Sequence, residues 1–177
     1  MTSETDSRYP DTLALSRRVL GWLRILNILG AVGIALMLVA SLLAPDLLFR
    51  ALLVRAPAWS LVTLAMRGIM VVGLAGAFVA HRMLTELLRI VESVHAGDPF
   101  ILENAGRLHA IAWWLLGAEL LHLLVGALAR LASTPAQPLD LDWSFSFTPW
   151  IAVLLLFVLA RVFAQGARMR EELEVTV

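Results

Sequence analysis

Four apolar runs, about 18–43, 59–80, 107–132 and 150–166, constrain this chain more than any other feature of it. A helix rises ~1.5 Å per residue, so a hydrocarbon core ~30 Å thick takes about 20 residues to cross. In lipid every backbone N–H and C=O must be satisfied within its own segment, so runs of that length fold as helices. The expected fold is therefore all-α, a four-helix transmembrane bundle. Composition agrees, since 60% of the 177 residues are hydrophobic, against roughly 45–50% in soluble domains.

The segments between the runs differ in character. Residues 1–16 are rich in Ser, Thr, Asp and Glu and read as a disordered tail. The first run follows directly and is too long for a signal-peptide core, so it is expected to stay as the first span. Its small residues Gly30, Ala31, Gly33 and Ala35 suit close approach of a neighbouring helix. Residues 44–58 and 133–149 form the loops on one side of the membrane. The first holds a short amphipathic stretch, Leu47 to Val54, and the second an alternating string, Leu139 to Phe147, expected to be extended. Between spans two and three, residues 81–106 form a helical hairpin, here called the elbow. Apolar residues continue at Met83, Leu84, Leu87, Leu88, Val91 and Val94 with helical spacing, so the second helix overshoots the membrane. Gly97 and Pro99, with Asp98 between them and Phe100 after, stop it. A new helix starts near Leu102. The membrane domain is thus bounded at 17–168, with a C-terminal tail over 169–177.

Charge orients this scheme. Arg8, Arg17, Arg18, Arg24, Arg82, Arg89, Arg107, Arg161, Arg168 and Arg170 fall on one side of a four-span protein, and Arg50, Arg55, Arg67 and Arg130 on the other. The positive-inside rule then places both termini and the elbow in the cytoplasm. Trp22, Trp113 and Trp114 fall near one set of span ends and Trp59, Trp143 and Trp150 near the other, as aromatic belts do. The formal net charge is zero, which gives no reason to expect direct nucleic-acid binding. The absence of cysteine excludes disulfides and thiolate ligands. No phosphate loop, nucleophile elbow or paired-histidine zinc motif is present, so neither a catalytic activity nor a metal or other cofactor is expected.

Polar groups inside hydrocarbon are costly and need an explanation. Glu119 lies well inside the third run with His122 one turn further along, and Arg67 reaches a similar depth in the second. An Arg67–Glu119 pair, joined by His122, is expected. It would act as a buried clamp fixing how the helices pack. The alternative is a proton or ion relay in a small transporter or channel subunit, but the remaining lining is mostly Leu, Ala and Val, whereas a relay needs a continuous polar path.

Two further stretches carry a resemblance. Gly97, Asp98, Pro99 and Phe100, then Asn104, are followed far downstream by Phe163, Gly166, Met169, Glu172, Thr176 and Val177 in a terminal FxxGxxMxxExxxTV pattern. In that order the chain resembles the bacterial membrane proteins grouped as domain of unknown function 2975, with Met169 where the family pattern has Leu. The resemblance implies a four-helix membrane protein over nearly the whole chain. It also implies a partner, because members are often found beside a small helix-turn-helix regulator. A regulatory or scaffold protein that holds a cytoplasmic DNA-binding protein is the function expected on that ground. The bilayer and a second copy of the chain are the other partners expected. The overhanging stripe Met83 to Val94 and the C-terminal tail would form the docking surface, unless the stripe packs on the protein's own third helix, which is the preferred reading.

Overall fold

A computed structural model describes residues 8–45, 60–97, 99–133 and 146–175. Within them each apolar run is one helix: α1 (Arg8–Leu43), α2 (Leu61–His95), α3 (Leu102–Ala132) and α4 (Thr148–Val175). All four are long and apolar enough to cross a membrane, and the described residues contain no strand. With 28 to 36 residues each, they are about 42–54 Å long and overshoot a ~30 Å core.

The N-terminal boundary differs from expectation. The helix begins at Arg8, so residues 8–16 are its first turns and not a disordered tail. Extending an existing helix fixes one residue per added hydrogen bond, so a polar stretch that could not nucleate alone continues a helix already formed. Pro10 is tolerated because it falls in the first turn, where its missing N–H has no partner to lose. At the other end, α4 carries helical geometry through residues 169–175. Leu47 to Val54, the alternating string from Leu139 to Phe145, Asp98, Thr176 and Val177 lie outside the described residues.

The helices pack in chain order: α1 on α2, α2 on α3 and α3 on α4. Among the described residues α1 and α4 do not meet, so the bundle is open, with α2 and α3 as its inner pair. On α4 the buried residues Val153, Ala160 and Ala167 recur every seven positions, a narrow seam of coiled-coil type. Most large apolar side chains face outward, among them Leu26 at 66% exposure, Leu36 at 65% and Leu154 at 65%. In water so much exposed hydrocarbon would aggregate, whereas lipid solvates it without cost.

Close approach uses other glycines than those expected. Gly30 and Gly33 in α1 face open space, while Gly73 and Gly68 in α2 receive the side chains of Ile34 from α1 and Leu128 from α3. The stripe on α2 is largely covered. Met83, Leu84, Leu88, Val91 and Val94 are half-buried, and Leu87 is exposed. Phe78 stacks edge-on against Trp114 at 5.9 Å, and the Arg82 guanidinium lies 5.7 Å from the centre of the same indole. This register sets residues 78–82 of α2 beside Trp114 of α3.

The turn between α2 and α3 depends on one residue. Gly97 has φ +87°, and its N–H bonds the Val94 carbonyl at 3.1 Å, while Ala96 caps the helix. Gly97→Ala should lower stability by about 1 kcal/mol through the left-handed penalty. Gly76→Ala, in a helix and with nothing within 4 Å of the added methyl, should raise it slightly. Thermal unfolding of the two variants in detergent checks the contrast.

Candidate functional site

The elbow is built around Asn104, which is fully buried. The N-cap of α3, Ile101, has no side-chain oxygen to offer the first turn, so Asn104 organises the turn from inside the helix. Its Nδ2 donates to Ser93 Oγ at 2.6 Å and to the Pro99 carbonyl at 2.9 Å. Its Oδ1 accepts from Arg107 Nη1 at 2.7 Å, and the same Nη1 donates to the Arg89 carbonyl at 3.3 Å. Ser93 Oγ passes the chain on to the Ile90 carbonyl at 2.8 Å. Both amide protons and the amide oxygen are therefore engaged, and the end of α2, the turn and the start of α3 are held by one side chain. Beside this network Arg89 pairs with Glu86 at 3.1 Å, and Glu86 is buried on the inner side of α2.

The elbow also holds α4. The Phe100 ring lies 5.1 Å from Phe163 at 34°. A Cβ on Gly166 would stand 3.4 Å from Phe100 Cδ1, so glycine lets the ring lie against the α4 backbone. Ala167, next along, is buried. The two sequence stretches that carried the resemblance thus meet in space, more than sixty residues apart in the chain. Met169 and Glu172, from the same terminal pattern, are exposed on α4. Sequence reasoning missed Ser93 and the Arg89 carbonyl. A serine on a helix exposed to solvent looks the same in sequence, and a backbone carbonyl leaves no signal at all.

The intramembrane cluster is arranged otherwise than expected. Arg67 Nε donates to Ser41 Oγ at 2.9 Å and its Nη2 to the Ser41 carbonyl at 2.6 Å. Ser41 is fully buried in the last turn of α1, where the carbonyls have no partner within the helix and the dipole favours a cation. Arg67 therefore closes the C-terminus of α1. Among the described residues no hydrogen bond or ion pair joins it to Glu119. Glu119 is buried in α3 at 8% exposure, while His122 is exposed. A second polar clamp joins the same helices, Asn27 Nδ2 donating to the Ala77 carbonyl at 3.0 Å.

These arrangements set two measurable couplings. In a double-mutant cycle, Arg67→Gln with Ser41→Ala should show an interaction of about 1–2 kcal/mol, whereas Arg67→Gln with Glu119→Gln should be additive within about 0.5 kcal/mol. Asn104→Ala, which strands three half-buried partners at once, should cost about 1–3 kcal/mol and more than Arg107→Ala. Unfolding of the detergent-solubilised variants measures both.

Chemically, the elbow is a latch made of hydrogen bonds and a ring contact; it presents neither a nucleophile nor a carboxylate pair across a cleft among the described residues. Comparison with curated proteins and with solved structures gives no match. A family model described as "Protein of unknown function (DUF2975)" matches residues 22–177, which include both the elbow and the α4 pattern. The chain belongs to that family.

Proposed function

We propose that the chain is a non-enzymatic regulatory or scaffold protein of the bacterial inner membrane, with both termini and the elbow in the cytoplasm. The elbow and the end of α4 would form a docking surface for a helix-turn-helix regulator. One observation supports this most. Where the two family segments meet, apolar side chains stay open beside a rigid latch: Phe100 is 47% exposed, Leu102 50% and Met169 60%. A rigid apolar patch flanked by Arg168, Arg170 and Glu172 is the kind of surface on which an amphipathic helix settles. The stripe Met83 to Val94 contributes little, since most of it is covered by the protein itself.

A second reading, a small transporter or channel subunit, rests on Glu119. This carboxylate is buried and has no hydrogen bond among the described residues, so it is not accounted for by the Arg67 clamp. A relay would need a polar path that leads from Glu119 past His122.

Co-purification in mild detergent with the product of a neighbouring regulator gene should succeed for the native chain and fail for Leu102→Glu and Met169→Glu, both at exposed positions outside the Phe100–Phe163 contact, at unchanged unfolding temperature. Proton flux into reconstituted vesicles that disappears in Glu119→Gln, with no regulator retained, would favour the second reading. Orientation is checked separately. A reporter fused after Gly97 should behave as cytoplasmic and one after Pro138 as external; the reverse pattern inverts the topology.

A further inference from the structure

A groove of about 620 Å³ runs between α3 and α4 from the elbow toward the bilayer. Its floor is small and apolar, formed by Ala105 and Gly106 on α3 and by Ala160 and Ala164 on α4. Leu102, 50% exposed, stands at its elbow end, so the groove continues the docking patch. At the other end three rings close it. His109 lies 5.2 Å from Phe157 and 6.4 Å from Trp113, and Trp113 lies 5.5 Å from Phe157, all edge-on. Trp113 Nε1 donates to His109 Nε2 at 3.1 Å, which holds the imidazole in the wall. Trp113 is exposed and, with Trp114, forms an aromatic layer of the kind that lies at headgroup level. The wall therefore separates the floor from the acyl chains, and what fills the groove enters from the cytoplasm.

The rim carries one sign of charge. Arg161 lines the groove, and Arg168 follows seven residues on, two turns along the same face of α4. Both are exposed. No acidic residue lines the groove, and among the described residues neither arginine has a hydrogen bond or ion pair. An apolar concavity in water with an unmatched cationic rim is a recognition surface, since the floor supplies burial and the rim supplies orientation.

We infer that the groove takes an acidic amphipathic helix of the docked partner, its apolar residues seated on the alanine and glycine floor and its carboxylates meeting Arg161 and Arg168. This rests on the docking reading, since Leu102 serves both, and adds the partner's chemistry to it. The length fits. Leu102 to His109 covers about 10 Å of helix, the span of an apolar stripe at i, i+4 and i+7, and the two arginines stand the same distance apart along α4. The charge fits as well. A basic helix would meet its own sign at the rim, and an anion without apolar side chains would leave the floor empty.

Fluorescence anisotropy of two synthetic helices, titrated with the full chain in neutral detergent, tests it. Both carry leucine at i, i+4 and i+7; one has glutamates on the flanks and the other lysines. The glutamate helix should bind the native chain roughly tenfold or more tightly than the lysine helix, and salt should narrow the difference. Arg161→Glu with Arg168→Glu should invert the preference. Gly106→Leu fills the floor at a position where an added Cβ meets nothing within 4 Å. It should keep its unfolding temperature and bind neither helix. Equal binding of the two helices overturns the proposal, as does a preference that the double reversal leaves unchanged or undiminished binding to Gly106→Leu. If neither helix binds, phosphatidylglycerol retained by the native chain and lost from Gly106→Leu gives the groove to lipid, and dimers lost in the same variant give it to a second copy; either result overturns the proposal. The docking reading fails separately. A regulator lost from Leu102→Glu but kept by Gly106→Leu and by the double reversal leaves that reading standing and overturns this one. A glutamate helix that binds with these dependences while no regulator co-purifies supports this one and removes only the regulator.

Discussion

The Asn104 amide is the interaction on which the rest of this protein depends. It ties Ser93 on α2, the Pro99 carbonyl in the turn and Arg107 on α3 with no exposure to solvent. A buried amide is costly unless every group it carries is met, and each partner it strands costs about 1–3 kcal/mol. The elbow therefore has a narrow set of geometries in which it is stable. That geometry sets where Phe100 projects, and Phe100 in turn meets Phe163 and the bare backbone at Gly166. The docking of α4 thus follows from a hydrogen-bonded turn two helices earlier in the order of packing.

Away from the elbow, the protein is assembled with little apolar burial. Lipid tails are as apolar as leucine, so apolar surface gives no drive for helices to associate in a membrane, and association falls to shape and polar bonds. The α1–α2 contact shows this division. Ile34 fits over Gly73, Asn27 bonds the Ala77 carbonyl, and Arg67 closes the last turn of α1. The two polar clamps lie on either side of the Ile34–Gly73 contact, which fixes the register of two long apolar rods that could otherwise slide. Arg67 gains an orphan carbonyl and a dipole end together, which explains why it serves α1 and leaves Glu119 alone.

Much of this was legible in the sequence, and the failures have physical reasons. The four helices were readable because length and apolarity leave lipid-exposed backbone no other fold. The turn at Gly97 to Phe100 was readable because glycine and proline restrict backbone geometry directly. The partner of Arg67 was not. Counting residues along a helix gives depth, and Glu119 and the end of α1 are both within a guanidinium's reach by depth alone. What distinguishes them is a backbone carbonyl, which every residue has. The start of α1 at Arg8 was obscured for another reason: composition reports what a segment does alone, not what it does when joined to a helix already nucleated. Gly30 and Gly33 look like packing residues, but which face of an all-apolar helix turns inward is not written in its periodicity.

Phe100, set against Phe163 and Gly166, joins the elbow and the end of α4 into one unit. Because the chain has no cysteine, the contact can be probed in native membranes without removing any residue first. Phe100→Cys and Phe163→Cys in one chain, treated with a short thiol-reactive crosslinker, should give an intramolecular bond in nearly every molecule. The yield should fall sharply when Asn104→Ala is added. Absence of the bond, or a product linking two copies of the chain, would mean that the elbow and α4 are not joined through this contact.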